Sequence, residues 1–149
     1  MTWRPLVLLL LLSLLPWTVA GGQAAQGPVP GDDAAAACGF GDGGPATGRL
    51  MLGGRPLLYR FDPAPPMVGR PLAIDLLSCA SDPPDLVGVD AVMPAHRHGM
   101  NYRPQLHPVG PGAWRAEGLL LHMPGSWRFD FGFRDASGAM AAQTLLTVR

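Results

Sequence analysis

The stretch "WRFDFGF", Trp127–Phe133, alternates large aromatic residues with polar or small ones at a strict period of two. Side chains along a β-strand point alternately to its two faces, so this pattern predicts a strand with one entirely aromatic face. That face is expected to form the centre of the hydrophobic core, with Arg128 and Asp130 on the opposite, solvated face. The predicted core residues are Trp127, Phe129, Phe131 and Phe133.

Short apolar runs separated by turn residues extend in both directions from this stretch, which is typical of an all-β protein. The other predicted strands are Leu57–Phe61, Leu72–Cys79, Val87–Met93, Ala113–Leu121 and Met140–Val148. Tyr102–Val109 contains two prolines and would be an edge strand at best. About seven short strands predict an immunoglobulin-like antiparallel β-sandwich over residues 48–149.

The N-terminus resembles a secretory signal peptide. Arg4 supplies a positive charge, "LVLLLLLSLL" (Leu6–Leu15) is apolar, and Ala20 is a small residue suited to cleavage. An apolar run of about ten residues is short against the ~20 that span a bilayer. We therefore predict a cleaved signal over residues 1–20, with a retained anchor as the alternative, and a periplasmic or secreted protein with no lipid binding beyond that signal. Residues 21–47, rich in Gly, Ala and Pro, are predicted to be a flexible segment.

The chain has two cysteines, Cys38 and Cys79. In an exported protein an even number of cysteines favours a disulfide. Two free thiols, a lipid-modified Cys38 and a thiolate metal ligand are the alternatives that the sequence leaves open.

Composition excludes several functions. The formal net charge is zero, which argues against nucleic acid and anionic membrane partners. No lysine occurs, so Schiff-base chemistry and lysine-dependent phosphate loops are excluded. The motifs GxSxG, HExxH and CxxC do not occur either, and we predict that the protein is not an enzyme.

Histidine and methionine cluster in two stretches. "VMPAHRHGMNY" (Val92–Tyr102) holds two of the four histidines with a methionine on each side, and "HMPG" (His122–Gly125) holds a third. If His96–Met100 is extended, its two histidines and its methionine point the same way. Loops of a sandwich gather at its two ends, so both stretches can meet at one end. The candidate metal ligands are His96, His98, Met100, His122, Met123 and Met93.

Copper is the metal that this donor set favours. Thioether sulfur is a soft ligand that selects copper, above all Cu(I), whereas zinc normally takes His, Cys or carboxylate ligands. No carboxylates cluster around the histidines, which excludes Mg²⁺ and Ca²⁺. The ordinary alternatives are that Met93 is a core residue and that "HRHG" is a solvated turn. His107, Met51 and Met67 are not predicted to be ligands.

The segment Pro71–Val148 resembles the YtkA-like domain, a FixH-related group of small exported bacterial β-sandwiches. The resemblance rests on a Met-Pro-x-His-x-His pattern, a strand of the form G-x-W/Y-x-A/V-x-G-L and a turn of the form H/F-M-x-G-x-W. The matching residues of this sequence are Met93, Pro94, His96, His98, Gly99, Met100, His122, Met123, Gly125 and Trp127. The resemblance implies a β-sandwich and a role in copper handling outside the cytoplasm.

Three functional hypotheses follow from the sequence. The first is a non-catalytic periplasmic module that binds or delivers Cu(I) or Cu(II), with a copper donor or acceptor protein as its partner. The second is a structural module that assists assembly of an exported or membrane-bound partner, with the His and Met residues as a contact surface. The third is a subunit of a copper redox enzyme. The sequence leaves the oligomeric state undetermined.

Overall fold

The computed structural model describes residues 38–149, so the predicted signal peptide and residues 21–37 of the predicted flexible segment lie outside the described residues. The described part contains nine β-strands and no helix. They are β1 (Gly48–Leu52), β2 (Arg55–Asp62), β3 (Pro71–Ser78), β4 (Asp85–Met93), β5 (His98–Gly99), β6 (Gln105–Gly110), β7 (Ala113–Leu120), β8 (Gly125–Asp135) and β9 (Gly138–Val148).

The strands form two antiparallel sheets, a five-stranded sheet in the order β1-β2-β3-β7-β6 and a four-stranded sheet in the order β5-β4-β8-β9. The predicted all-β sandwich is confirmed, and each of the seven predicted strands corresponds to an observed one. The Pro-containing stretch Tyr102–Val109 corresponds to β6, which lies at a sheet edge as expected. Two further strands, β1 and β5, were not predicted.

The aromatic face of β8 is the centre of the core, as its alternation predicts. Trp127, Phe129, Phe131 and Phe133 are each 0% exposed. Three of them contact rings of the opposite sheet. The ring centroids lie 5.1 Å apart for Phe129 and Phe61, 5.5 Å for Phe133 and Trp114, and 6.3 Å for Phe131 and Tyr59. Full burial of one such side chain stabilises the fold by about 1.5–3 kcal/mol. These contacts hold the two sheets together.

Three loops meet at one end of the sandwich, which we call the histidine end. They are the β2–β3 loop (residues 63–70), the β4–β5 turn (residues 94–97) and the β7–β8 loop (residues 121–124). The Gly69 N–H donates to the Leu121 carbonyl oxygen at 2.8 Å, which joins the first loop to the third. His98, the residue directly after the second loop, contacts the ring of His122 on the third loop.

A disulfide between Cys38 and Cys79 lies at the other end of the sandwich, just beyond the last residue of β3. The predicted pairing is confirmed, and neither sulfur is left as a free thiol for metal or lipid. The Cys79 N–H donates to the Pro56 carbonyl oxygen at 3.0 Å, which ties this half of the disulfide to β2. Cys38 is thereby attached to the five-stranded sheet.

An ion-pair network covers the outer face of the five-stranded sheet. Asp75 is buried and accepts bonds from Arg60 Nε at 2.8 Å and from Arg115 Nη1 at 2.9 Å. Arg60 also pairs with Asp42 at 2.8 Å, and its guanidinium carbon lies 4.3 Å from the Phe40 ring centroid. Phe40 and Asp42, which follow Cys38 in the sequence, therefore pack on this face.

No helix in residues 38–149 is long and apolar enough to cross a membrane.

Candidate metal site

The β4–β5 turn places the first two histidines. The Met93 carbonyl oxygen accepts bonds from the N–H groups of His96, at 3.1 Å, and Arg97, at 2.9 Å. Pro94 occupies the second position of this turn, where its fixed φ is favourable, and Arg97 has a left-handed φ of 56°. His98 then pairs with Met93 in the ladder. The assumption that the chain is extended from residue 96 onward was therefore wrong, because the Met93 carbonyl closes a turn that contains His96.

Three imidazole rings nevertheless come close together at the histidine end. The His98 and His122 ring centroids lie 5.2 Å apart with an angle of 27° between the planes, and the His96 and His98 centroids lie 5.8 Å apart. His98 is half-buried, whereas His96 and His122 are exposed. The two His-containing stretches thus share one end of the sandwich, and His98 is the ring that contacts both others.

Trp127 supports this cluster from below. Its ring is 0% exposed, and its centroid lies 5.4 Å from that of His122 and 6.3 Å from that of His98, with edge-to-face geometry in both pairs. A buried indole N–H requires an acceptor, and Trp127 Nε1 donates to the Met123 carbonyl oxygen at 3.0 Å. The indole therefore fixes the backbone that carries His122 and also contacts both imidazoles.

Met93 lies in the core beneath the two loops. It is 2% exposed, and its terminal methyl contacts Gly125, where an added Cβ would lie only 2.8 Å from Met93 Cε. Gly125 has a φ of 128°, which side chains rarely tolerate. The last residue of β4 and the first residue of β8 are thus packed directly against each other. The burial of Met93 agrees with the interpretation of this residue as part of the core.

The other two candidate thioethers, Met100 and Met123, are half-buried and pack against the core. Met123 follows His122 and has its carbonyl held by Trp127. Met100 donates its N–H to the Ala91 carbonyl oxygen at 3.1 Å and lines a groove of about 530 Å³ together with Tyr102. Met123 therefore belongs to the loop of His122, whereas Met100 also faces the groove beside β4.

The described residues contain no group of three His, Cys, Asp or Glu side chains arranged to hold one metal ion. A metal ion bound between the closest imidazole pair would therefore take its remaining ligands from thioether sulfur or solvent. The fourth histidine, His107, is outside the cluster: it lies on β6, with Nε2 3.8 Å from Glu117 Oε2.

Met67 stands apart from the histidines in the sequence, but the structure places its loop beside the β7–β8 loop. This residue is 49% exposed and belongs to the β2–β3 loop, whose Gly69 is hydrogen-bonded to Leu121, the residue before His122. Its neighbours are Pro66 and Val68, so no histidine accompanies it in the sequence. The two loops are neighbours because β3 lies beside β7 in the sheet, which local sequence patterns do not reveal.

Searches of protein-family models, curated proteins and solved structures found no match to the chain. The resemblance to YtkA-like domains therefore stays a prediction.

Proposed function

We propose that this protein is an exported copper-binding module that holds or delivers copper without catalysing a reaction. His98 and His122 are the central ligands in this proposal, and Met123 is the first thioether ligand. The observation that carries it is the 5.2 Å separation between the ring of His98, on β5, and the ring of His122, on the β7–β8 loop. Both rings rest on the buried Trp127, so their positions depend on the packed core.

Copper fits the donor chemistry of the histidine end better than other metals do. Among the described residues, no ion pair or hydrogen bond joins a carboxylate to His96, His98 or His122, so the oxygen ligands that Mg²⁺ and Ca²⁺ need are not offered there. Imidazole binds Cu(I), Cu(II) and Zn²⁺, but the methionines add soft sulfur that favours copper.

The remaining candidate residues have subsidiary roles in the proposal. His96 is exposed on the turn and its ring centroid is 5.8 Å from that of His98, so a change of rotamer brings it toward a metal held there. Met100 follows β5 by one residue and is a second candidate thioether. Met93 supports the two loops from the core, and it reaches the metal only if the core side chains repack.

An oxidising compartment agrees with both the disulfide and the proposed ligands. Disulfides persist in secreted and periplasmic proteins, where free thiolates are easily oxidised. The Cys38–Cys79 bond is compatible with such a compartment. Methionine binds soft metal ions without forming disulfides, so a His and Met site suits an exported protein. The copper donor or acceptor would be another protein of that compartment.

The test is a Cu(I) titration under reducing conditions against a competing chelator. We expect the protein to bind about one copper ion, and both His98→Ala and His122→Ala to weaken binding by at least about tenfold. The matched control is His107→Ala, which removes an exposed histidine outside the cluster. Failure of the wild type to bind copper, or equal affinity of the wild type and His98→Ala, would overturn the proposal.

A structural interaction module is the second candidate, and the groove beside β4 favours it. In the described chain β5 pairs with only Val92 and Met93, so the first part of β4 has no strand on that side. The groove there is lined by Val87 and Tyr102, which are 53% and 44% exposed. An exposed sheet edge of this kind can accept a strand from a partner. Loss of partner binding in Val87→Asp, with copper affinity unchanged, would favour this function.

A further inference from the structure

Met67 lies on a loop that is held beside the β7–β8 loop. The Gly69 N–H donates to the Leu121 carbonyl oxygen at 2.8 Å, and Leu121 directly precedes His122. Val68 packs against the core, which anchors the β2–β3 loop between Met67 and Gly69. The backbone of Met67 is therefore two residues from a hydrogen bond to the loop that carries His122, at the same end of the sandwich.

The side chain of Met67 is open to solvent although it is apolar. It is 49% exposed, whereas Met93, Met100 and Met123 are all at least partly buried against the core. A thioether that does not fill the core contributes little to stability, but it remains free to bind a soft metal ion. The exposure of Met67 therefore leaves its sulfur available on the outside of the histidine end.

We propose that Met67 is a further soft-metal contact, through which a monovalent ion such as Cu(I) or Ag(I) is received or released at the solvent side of the His98–His122 pair. This inference rests on the proposed copper-binding function. It adds a ligand on a third loop, so all three loops of the histidine end contribute to the site. The partner that it implies is a protein whose own soft ligands approach from the side of the β2–β3 loop.

Met51 provides a matched control. It is 57% exposed, so its accessibility is similar to that of Met67. It lies on β1 and pairs with Pro56, next to the β1–β2 turn and at the end of the sandwich that carries the disulfide. An ion that binds only at the histidine end should therefore leave Met51 unaffected.

The experiment measures the oxidation of individual methionines by hydrogen peroxide, with and without Ag(I), using mass spectrometry. Ag(I) replaces Cu(I) because it does not cycle between oxidation states under these conditions. Coordination occupies the sulfur lone pair that the oxidant attacks, so we expect Ag(I) to slow the oxidation of Met67 by at least about threefold and that of Met51 hardly at all. A second measurement compares Met67→Leu with Met51→Leu, both of which conserve volume. Only Met67→Leu should weaken Cu(I) binding, by about threefold or more.

The possible failures are distinguishable. One outcome is that Ag(I) binding depends on His98, but Ag(I) does not slow the oxidation of Met67. In that case the proposed role of Met67 is wrong, while the proposed copper binding stands. Equal protection of Met51 and Met67 would show non-specific thioether binding and would also overturn this inference. If neither Ag(I) nor Cu(I) binds to the wild type, the proposed function fails together with it.

Discussion

The indole N–H of Trp127 donates a 3.0 Å hydrogen bond to the carbonyl oxygen of Met123. The donor belongs to the aromatic core face of β8, and the acceptor belongs to the loop that carries His122. One bond therefore joins the most deeply buried part of the fold to the proposed metal site. Because the same indole contacts the rings of His98 and His122, changes at this residue should affect stability and metal binding together.

Trp127→Phe is predicted to weaken both properties. Phenylalanine keeps an aromatic ring in the core but lacks the N–H, which leaves the Met123 carbonyl without this donor and opens a gap where the larger indole packed. We expect a loss of about 1–3 kcal/mol in the free energy of unfolding, measured with urea. We also expect weaker Cu(I) binding, because the β7–β8 loop is less firmly held.

Trp114→Phe is the matched control for this prediction. Trp114 is also buried, but it contacts Phe133, far along β8 from Trp127. Its replacement should lower stability without changing copper affinity. If both variants lose copper affinity equally, the effect comes from general destabilisation and not from the bond to Met123.

Gly125→Ala is predicted to be destabilising for two separate reasons. The φ of 128° is unfavourable for any residue with a Cβ, and that Cβ would lie 2.8 Å from Met93 Cε. Positions of this kind cost on the order of 1–3 kcal/mol. Urea unfolding should show the loss for Gly125→Ala and little change for Gly88→Ala, where an added Cβ meets nothing within 4 Å and no positive φ is involved. Equal stability of the two variants would contradict the tight packing of Met93 against Gly125.

Sequence patterns predicted the fold well because its strands alternate clearly. The period of two in Trp127–Phe133 fixes which face is buried, and those aromatic residues are indeed the core. The pattern does not predict β5, since His98–Gly99 is too short to show any alternation. That strand exists because the Met93 carbonyl closes a turn that folds the chain back onto β4.

The candidate site was predictable only in part, because it depends on which loops become neighbours. The two stretches with paired His and Met residues stand out in the sequence, and the structure brings His98 and His122 together. Met67 has no such partner in the sequence, and its position follows from β3 lying beside β7 in the sheet. Strand order is a non-local property, so local patterns do not reveal this third loop.

Asp42 should contribute to stability in a pH-dependent manner. Its hydrogen bond with Arg60 is the main cause that lowers its pKa from 3.8 to about 2. A carboxylate whose pKa is lower in the folded state stabilises the fold above its ordinary pKa, and this contribution is lost as the pH falls toward about 2. Because Asp42 is exposed to solvent, the effect on stability should be small.

Acid titration of Asp42→Asn tests this contribution. Between the two pKa values the wild type should lose more stability than the variant does, as measured by urea unfolding at several pH values. Asp82→Asn, which alters another exposed carboxylate, on the β3–β4 loop, serves as the control. If the wild type and Asp42→Asn lose stability in parallel, the ion pair with Arg60 does not contribute.

Copper affinity should fall with decreasing pH through loss of the imidazole ligands. Protons compete with a metal ion for the imidazole nitrogen, whereas a thioether needs no deprotonation. We therefore expect Cu(I) binding by the wild type to weaken progressively from about pH 7.5 to about pH 5, because protons displace the metal ion from the imidazole nitrogen. The double variant His98→Ala/His122→Ala should bind weakly, with much less dependence on pH, because methionine then supplies most of the ligands. Chelator competition at several pH values measures both curves, and a wild-type affinity that stays constant over this range would show that His98 and His122 are not the central ligands.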